Sequence, residues 1–474
     1  MLFNSLSFAI FLPIVFLLYW IMPHKYRWML LLVASYYFYM SWDVNYIILI
    51  LFTTTISFVA GLLIEKQQNI LLRKIILITT GGLCLGVLFF FKYFNFVAES
   101  VSDLLGTCAI NIHPVTLDLL LPVGISFYTF QTLSYVIDVY GGGENCKAEH
   151  NFGVYAAYVS FFPQLVAGPI ERSENLIPQI KEKKIFDYAK ATYGLRLMAW
   201  GFFKKMAIAD AVAVYVDRAY GNLKTCTGFD LFIAVFFFSI QIYCDFSGYS
   251  DIAIGCAKLM GIDLMINFRS PYFSDSIKEF WKRWHISLST WFRDYLYIPL
   301  GGNRCSKTRN KINLMITFLL SGLWHGADWT FVLWGGIHGG AQVIENSILR
   351  KRANKIPSYM KRVLIFIFCS FAWVFFRADN IREAIFIIIR LLSFLSIPDS
   401  FIHSNIGMSA TLLFRLLVSI FLLAVYDFIS MKIDVIDWVS SRNVVVRWCV
   451  YFALVFYTVC NMPLEKSAFI YFQF

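Results

Sequence analysis

The stretch PYFSDSIKEFWKRWHISLSTWFRDYLYIPLGGNR, residues 271–304, and the segment SGLWHGADWTFVLWGGIHGG, residues 321–340, carry one and two histidines inside tryptophan-rich sequence. On a helix turning about 100° per residue, residues 278–297 align Phe280, Trp284, Leu288, Trp291 and Tyr295 on one face. Lys282, Arg283, Ser289 and Arg293 fall on the other, so this helix is expected to lie along a membrane surface or to line a wet cavity. His285 sits at the edge of the apolar face beside Trp281 and Phe292. Asp294 projects from nearly the opposite side and is a poor partner for it within one helix. His325 differs in kind: it follows INLMITFLLSGLW and precedes another apolar run, which places an ionisable ring at membrane depth, where such groups are functional candidates by default. Gly326 is suited to end one helix and Asp328 to begin the next, so His325 is expected at a helix break.

Working outward, the 474 residues are 59% hydrophobic and 18% aromatic, with a mean hydropathy of +0.64, which exceeds the globular range and indicates an all-α polytopic membrane protein. The formal charge of +11 does not point to nucleic acid, because the basic residues collect in short connections between apolar runs, as cytoplasmic loops do. None of the ten cysteines forms a CxxC pair, and Cys84, Cys244, Cys256, Cys369, Cys449 and Cys460 lie in apolar runs, where they pack as small hydrophobes. Residues 1–22 have no basic n-region or convincing cleavage site and read as a retained first helix.

Apolar runs of spanning length appear near residues 5–22, 27–42, 44–64 and 74–96, and again near 363–376, 384–397, 410–430 and 443–462. Lys25 and Arg27 follow the first run, Asp43 the second, and Lys66, Arg73 and Lys74 the third, while Glu99, Asp103 and Asp118 follow the fourth. This alternation puts the N-terminus outside and the two basic loops in the cytoplasm. Between them, 117–340 is interrupted by Gly, Pro and single charges, as in FFFSIQIYCDFSGYSDIAIGCAKLMGI, and is expected to contain broken or re-entrant segments around an internal chamber. With that middle included, roughly 11–13 membrane segments are expected. The chain reads as one domain, 1–474, with N-terminal helices (1–116), a catalytic core (117–347) and C-terminal helices (348–474).

Each candidate has a plainer reading. His325 is either a neutral imidazole bridging helices or an acid–base catalyst. His285 suits an interface as well as a site, and His338, near small residues on an apolar helix, suits packing. A zinc centre of His285, His325 and His338 lacks an HExxH-like pair or an acidic second shell, so no metal is expected. Asp245 and Asp251, six residues apart, do not share a helix face and suit backbone contacts at a broken helix better than a carboxylate pair, with an ion pathway as the other reading. Two basic groups, Lys278, Lys282, Arg283, Arg293, Arg304, Lys307, Arg309 and Lys311, then Arg350, Lys351, Arg352, Lys355, Lys361 and Arg362, serve either as positive-inside and lipid contacts or as a dock for an anionic acyl donor.

DFSGYSDIAIG (245–255), NFRSPYFSDSIKEFWKRWHISLSTWFRDYLYIPLGGNR (267–304) and LSGLWHGADWTFVLWGGIHG (320–339) together resemble the membrane-bound O-acyltransferase (MBOAT) family. LPVGISFYTFQTLSYVIDVY (121–140) and FFPQLVAGPIER (161–172) narrow the resemblance to its bacterial alginate O-acetylation branch, and it runs from MLFNSLSF to FIYFQF. It implies a ring of membrane helices around a central tunnel in a bacterial inner membrane, with His325 as the catalytic histidine and His285 as a second one. Trp284, Trp291 and Trp324 would shape the tunnel, with Lys282, Arg283 and Arg293 as donor-docking candidates. No permanently bound cofactor is implied; the donor would be acetyl-CoA or an acyl-carrier thioester. An exported acetyltransferase partner and a surface polysaccharide acceptor, alginate-like or peptidoglycan, are also implied. The C-terminal FIYFQF fits either an outward-facing surface or an aromatic interfacial belt. Two other readings are D-alanyl transfer toward teichoic acid and a non-enzymatic transporter; the second is disfavoured by the absence of internal repeats.

Overall fold

The computed structural model describes residues 1–110, 113–143, 146–166, 168–349, 356–394, 409–463 and 469–470, and every regular element among them is helical. Ile47–Lys66, Ile70–Thr107, Gly228–Leu259, Ser358–Arg377, Ala410–Ser430 and Val444–Asn461 are long and apolar enough to cross a bilayer, and Leu6–Ile21 is a shorter apolar helix. The chain is an all-helical, multi-pass membrane protein. The apolar run near 27–42 forms the His24–Met40 helix, and that near 384–397 forms Ile381–Phe394, its last three residues lying outside the described ones.

Two compact units divide the chain: Met1–Gly194 with Ala253–Met265, and Leu195–Ile252 with Ile266–Phe474. In the first, the irregularity expected after residue 117 is real. The Phe152–Ser160 helix stops at Phe161, a single turn Phe162–Leu165 follows, and residues 169–172 have no regular structure before the Ser173–Lys181 helix. Such backbone survives at depth only when its polar groups find partners. Here Gln131 and Gln164 both donate from Nε2 to the Tyr158 carbonyl at 2.8 Å, while buried Glu171 accepts the Met265 N–H and the Asn175 amide.

The expected break at CDFSGYSD does not occur: Gly228–Leu259 is one helix of 32 residues, of which residues 228–252 belong to the second unit. The two aspartates do not cap a broken end because they are neutralised by buried lysines. Lys205 Nζ lies 2.7 Å from Asp245 and 2.8 Å from Asp210, and Lys204 Nζ lies 2.6 Å from Asp251. Both lysines sit in the π-helical turn Phe203–Ala209, whose extra residue per turn sets consecutive side chains toward neighbouring carboxylates.

The single helix expected over 278–297 is also corrected. Ile277–Arg283 and Ile286–Phe292 are separate helices of 7 residues each, broken at Trp284 and His285 and followed by a π turn, Arg293–Tyr297. Residues 267–269 cause the break by taking the backbone groups a continuous helix needs: the Arg269 N–H donates to the Arg283 carbonyl and the Ile286 N–H to that of Asn267, both at 3.0 Å. The amphipathic division survives the break. Phe280, Trp284, Leu288 and Trp291 are buried within the protein, not laid on lipid, whereas Lys282 and Arg293 are exposed.

Candidate active site

His325 is the last residue of the Lys307–His325 helix, which ends at Gly326 in extended backbone. Asp328 caps the returning Trp329–Ile344 helix, its Oδ1 accepting the Thr330 N–H at 2.7 Å, so His325 stands at the hairpin corner anticipated from sequence. Close packing of the hairpin depends on two glycines that face each other: a Cβ on Gly322 would run into the Phe331 carbonyl, and one on Gly335 into that of Phe318.

His285 occupies the other break. Its φ of +42° is left-handed, a conformation that costs a non-glycine residue about 1–2 kcal/mol and persists only where surrounding structure imposes it. The ring is fully buried, with Phe246 at 4.6 Å edge-on, and burial among apolar groups pushes the imidazole down to about 3, so it is neutral at physiological pH.

These two breaks, forty residues apart in sequence, bring the imidazoles together: the His285 and His325 ring centroids are 6.2 Å apart, and both rings are buried. Trp324 closes one side, 6.1 Å from His285 and 5.1 Å from His325, and Trp334 and Phe376 flank His325 at 5.1 and 5.5 Å. An imidazole in such a wall can take a proton from a hydroxyl and return it to a leaving group.

The other sequence candidates divide. Trp284 is buried against Phe268 and Trp373, bracing the His285 break from behind, whereas Trp291 packs on its local neighbours Phe292 and Tyr295. His338 is fully buried in an aromatic cage of Phe280, Trp281, Trp334, Phe368 and Trp373, one ring beyond His325 through Trp334. Lys282 and Arg293 are exposed; Arg293 pairs with Asp294 at 2.7 Å and Arg283 with Glu279. Arg350, Lys351, Arg352 and Lys355 lie outside the described residues.

Two supports went unread in the sequence, and the C-terminal one was read without its buried role. Trp334 and Phe376 line His325 from helices whose apolar character hid them. Lys204 and Lys205 carried a legible signal, two adjacent lysines inside the apolar run AWGFFKKMAIADA. Phe469 and Ile470 are buried, not in an interfacial belt. Phe469 packs on Tyr249 at 4.7 Å, and the Ile470 N–H donates to Asp245 Oδ2 at 2.8 Å; residues 471–474 lie outside the described ones.

The sequence model of the MBOAT, membrane-bound O-acyltransferase, family matches residues 147–382, which contain both histidines. The chain is 42% identical to the probable alginate O-acetylase AlgI of Pseudomonas aeruginosa over 81% of its own length and 73% of the relative's. It is 35% identical to the peptidoglycan O-acetyltransferase of Helicobacter pylori, covering 81% of this chain and 78% of that one. The teichoic acid D-alanyltransferase of Bacillus subtilis is more distant, 28% identical over 54% of this chain and 67% of its own.

Proposed function

The chain belongs to the membrane-bound O-acyltransferase family, and we propose that this O-acyltransferase passes an acetyl group from a cytoplasmic thioester across the bacterial inner membrane for O-acetylation of a surface polysaccharide. The observation that carries the site assignment is the pair of buried imidazoles 6.2 Å apart at two chain breaks. His325 removes the proton of the acceptor hydroxyl as its oxygen attacks the thioester carbonyl. The C–O bond forms, the C–S bond breaks, and the proton held on His325 passes to the departing thiolate. His285, held neutral by burial, orients the reacting groups from the opposite break.

The relatives covered over three quarters of their length or nearly so are an alginate and a peptidoglycan O-acetylating protein, which favours an acetyl cargo over D-alanine. The donor, acetyl-CoA or an acyl-carrier thioester, meets the exposed cations Lys278, Lys282, Arg304, Lys307, Arg309 and Lys311 on the cytoplasmic side. An exported acetyltransferase completes delivery to the polymer. Membranes containing the protein, given radiolabelled acetyl-CoA, are expected to release free coenzyme A slowly and to lose that release in His325→Ala. Discharge unaffected by His325→Ala would remove the histidine from the chemistry, and discharge only from a D-alanyl carrier thioester would reassign the cargo.

A further inference from the structure

Resting on the reading of His285 as part of the active site, we infer that Asn267 is a positioning residue that sets the His285 imidazole by locking its backbone in the left-handed turn. Asn267 is fully buried and opens the 267–304 stretch, eighteen residues before His285 and outside both breaks. Its side chain nevertheless meets the turn at the residue after next from His285. Asn267 Oδ1 accepts both the Ser287 hydroxyl at 2.7 Å and the Ser287 N–H at 3.2 Å, while its own carbonyl accepts the Ile286 N–H at 3.0 Å. Three donors from two consecutive residues therefore converge on one asparagine. They hold the chain where His285 must adopt its positive φ.

The asparagine is itself anchored. Its Nδ2 donates to Ser250 Oγ at 3.3 Å, on the long Gly228–Leu259 helix, four residues from Phe246, the residue that packs edge-on against the His285 ring. Three residues further along, Ser270 ties the same strap to the Ala410–Ser430 helix, donating to the Asp427 carbonyl at 2.9 Å and meeting Ser430 Oγ at 3.0 Å. The strap 267–270 thus spans two long helices and carries the His285 turn between its anchors. Asparagine suits this role because one oxygen takes two donors while the amide donates elsewhere. Aspartate keeps the oxygens but loses the donation to Ser250, and alanine loses both.

The test measures acetyl ester on the surface polymer of cells lacking the protein, complemented at matched membrane levels with Asn267→Ala, Asn267→Asp, Ser287→Ala, His285→Ala and His325→Ala. Asn267→Ala is expected to lower ester roughly 10- to 100-fold, the scale of a displaced active-site group, with Asn267→Asp restoring part of it as the neutral acid that burial favours, one oxygen of which still accepts from Ser287. Ser287→Ala, which removes only the hydroxyl, is expected to cost about threefold, and the Asn267→Ala/Ser287→Ala double variant no more than Asn267→Ala, because both act through one contact. Full ester with Asn267→Ala, beside inactive histidine variants, overturns the inference and leaves the site reading standing; full ester with both histidine variants overturns the site reading and the inference with it. Should Asn267→Ala fail to accumulate, Ser287→Ala decides: reduced ester supports the role, and wild-type ester overturns it.

Discussion

His285 carries a thermodynamic signature of its burial. An unfolded histidine takes a proton below about pH 6.5, whereas the buried ring does so only near 3, so between those values the unfolded state binds more protons and stability falls as pH falls. The slope is about 1.4 kcal/mol per pH unit for one fully buried imidazole. The apparent melting temperature of the detergent-solubilised protein is therefore expected to drop more steeply between pH 6.5 and 4.5 for wild type than for His285→Gln; parallel curves would show that the ring is accessible to protons. At this scale the sequence was most legible for His325, because Gly326 and Asp328 are local signals and the break they announce is local. For His285 it was not. The left-handed turn is imposed by Asn267 and Arg269, which pair with residues 283–287 through bonds that no helical wheel contains.

At the scale of elements, the His325 corner depends on the close approach of Lys307–His325 and Trp329–Ile344. Gly322→Ala forces a Cβ against the Phe331 backbone and is expected to destabilise by about 1–3 kcal/mol with reduced acetylation, as overpacking does. Gly336→Ala, whose nearest neighbour is the tip of Leu319 at 3.5 Å, is the matched control and should behave as wild type. Equal tolerance of both would mean the helices do not need their close contact. The Gly228–Leu259 helix shows why element reading failed elsewhere. Gly248, Asp245 and Asp251 look like helix breakers in one dimension, and only the lysines at 204 and 205, some forty residues earlier, make them compatible with an unbroken helix. Removing Lys204 alone, as Lys204→Met, leaves the Asp251 carboxylate without its cation and is expected to cost about 3–5 kcal/mol, most of it recovered in Lys204→Met/Asp251→Leu. Thermal unfolding of the pair checks this; a double variant no better than the single would assign Asp251 a role beyond charge balance.

For the whole molecule, composition and loop charge were enough to establish a multi-pass helical protein, because the bilayer permits few alternatives. Family membership was legible from motifs near the two histidines, while the aromatic wall contributed by Trp334 and Phe376 was not, since residues of one chemical type in different helices carry no mark of their shared destination. The charge alternation of the first loops gives an orientation that can be checked directly: an impermeant thiol reagent should reach a cysteine introduced at Asp43 from outside the cell and one at Gln67 only after permeabilisation. The reverse pattern would overturn the proposed direction of acyl transfer. Whether His325 carries the acyl transfer is read directly from surface-polymer acetyl ester in cells lacking the protein, complemented with wild type or His325→Ala at equal membrane abundance. Ester that returns with wild type and stays absent with His325→Ala is the predicted result; full restoration by His325→Ala would contradict it.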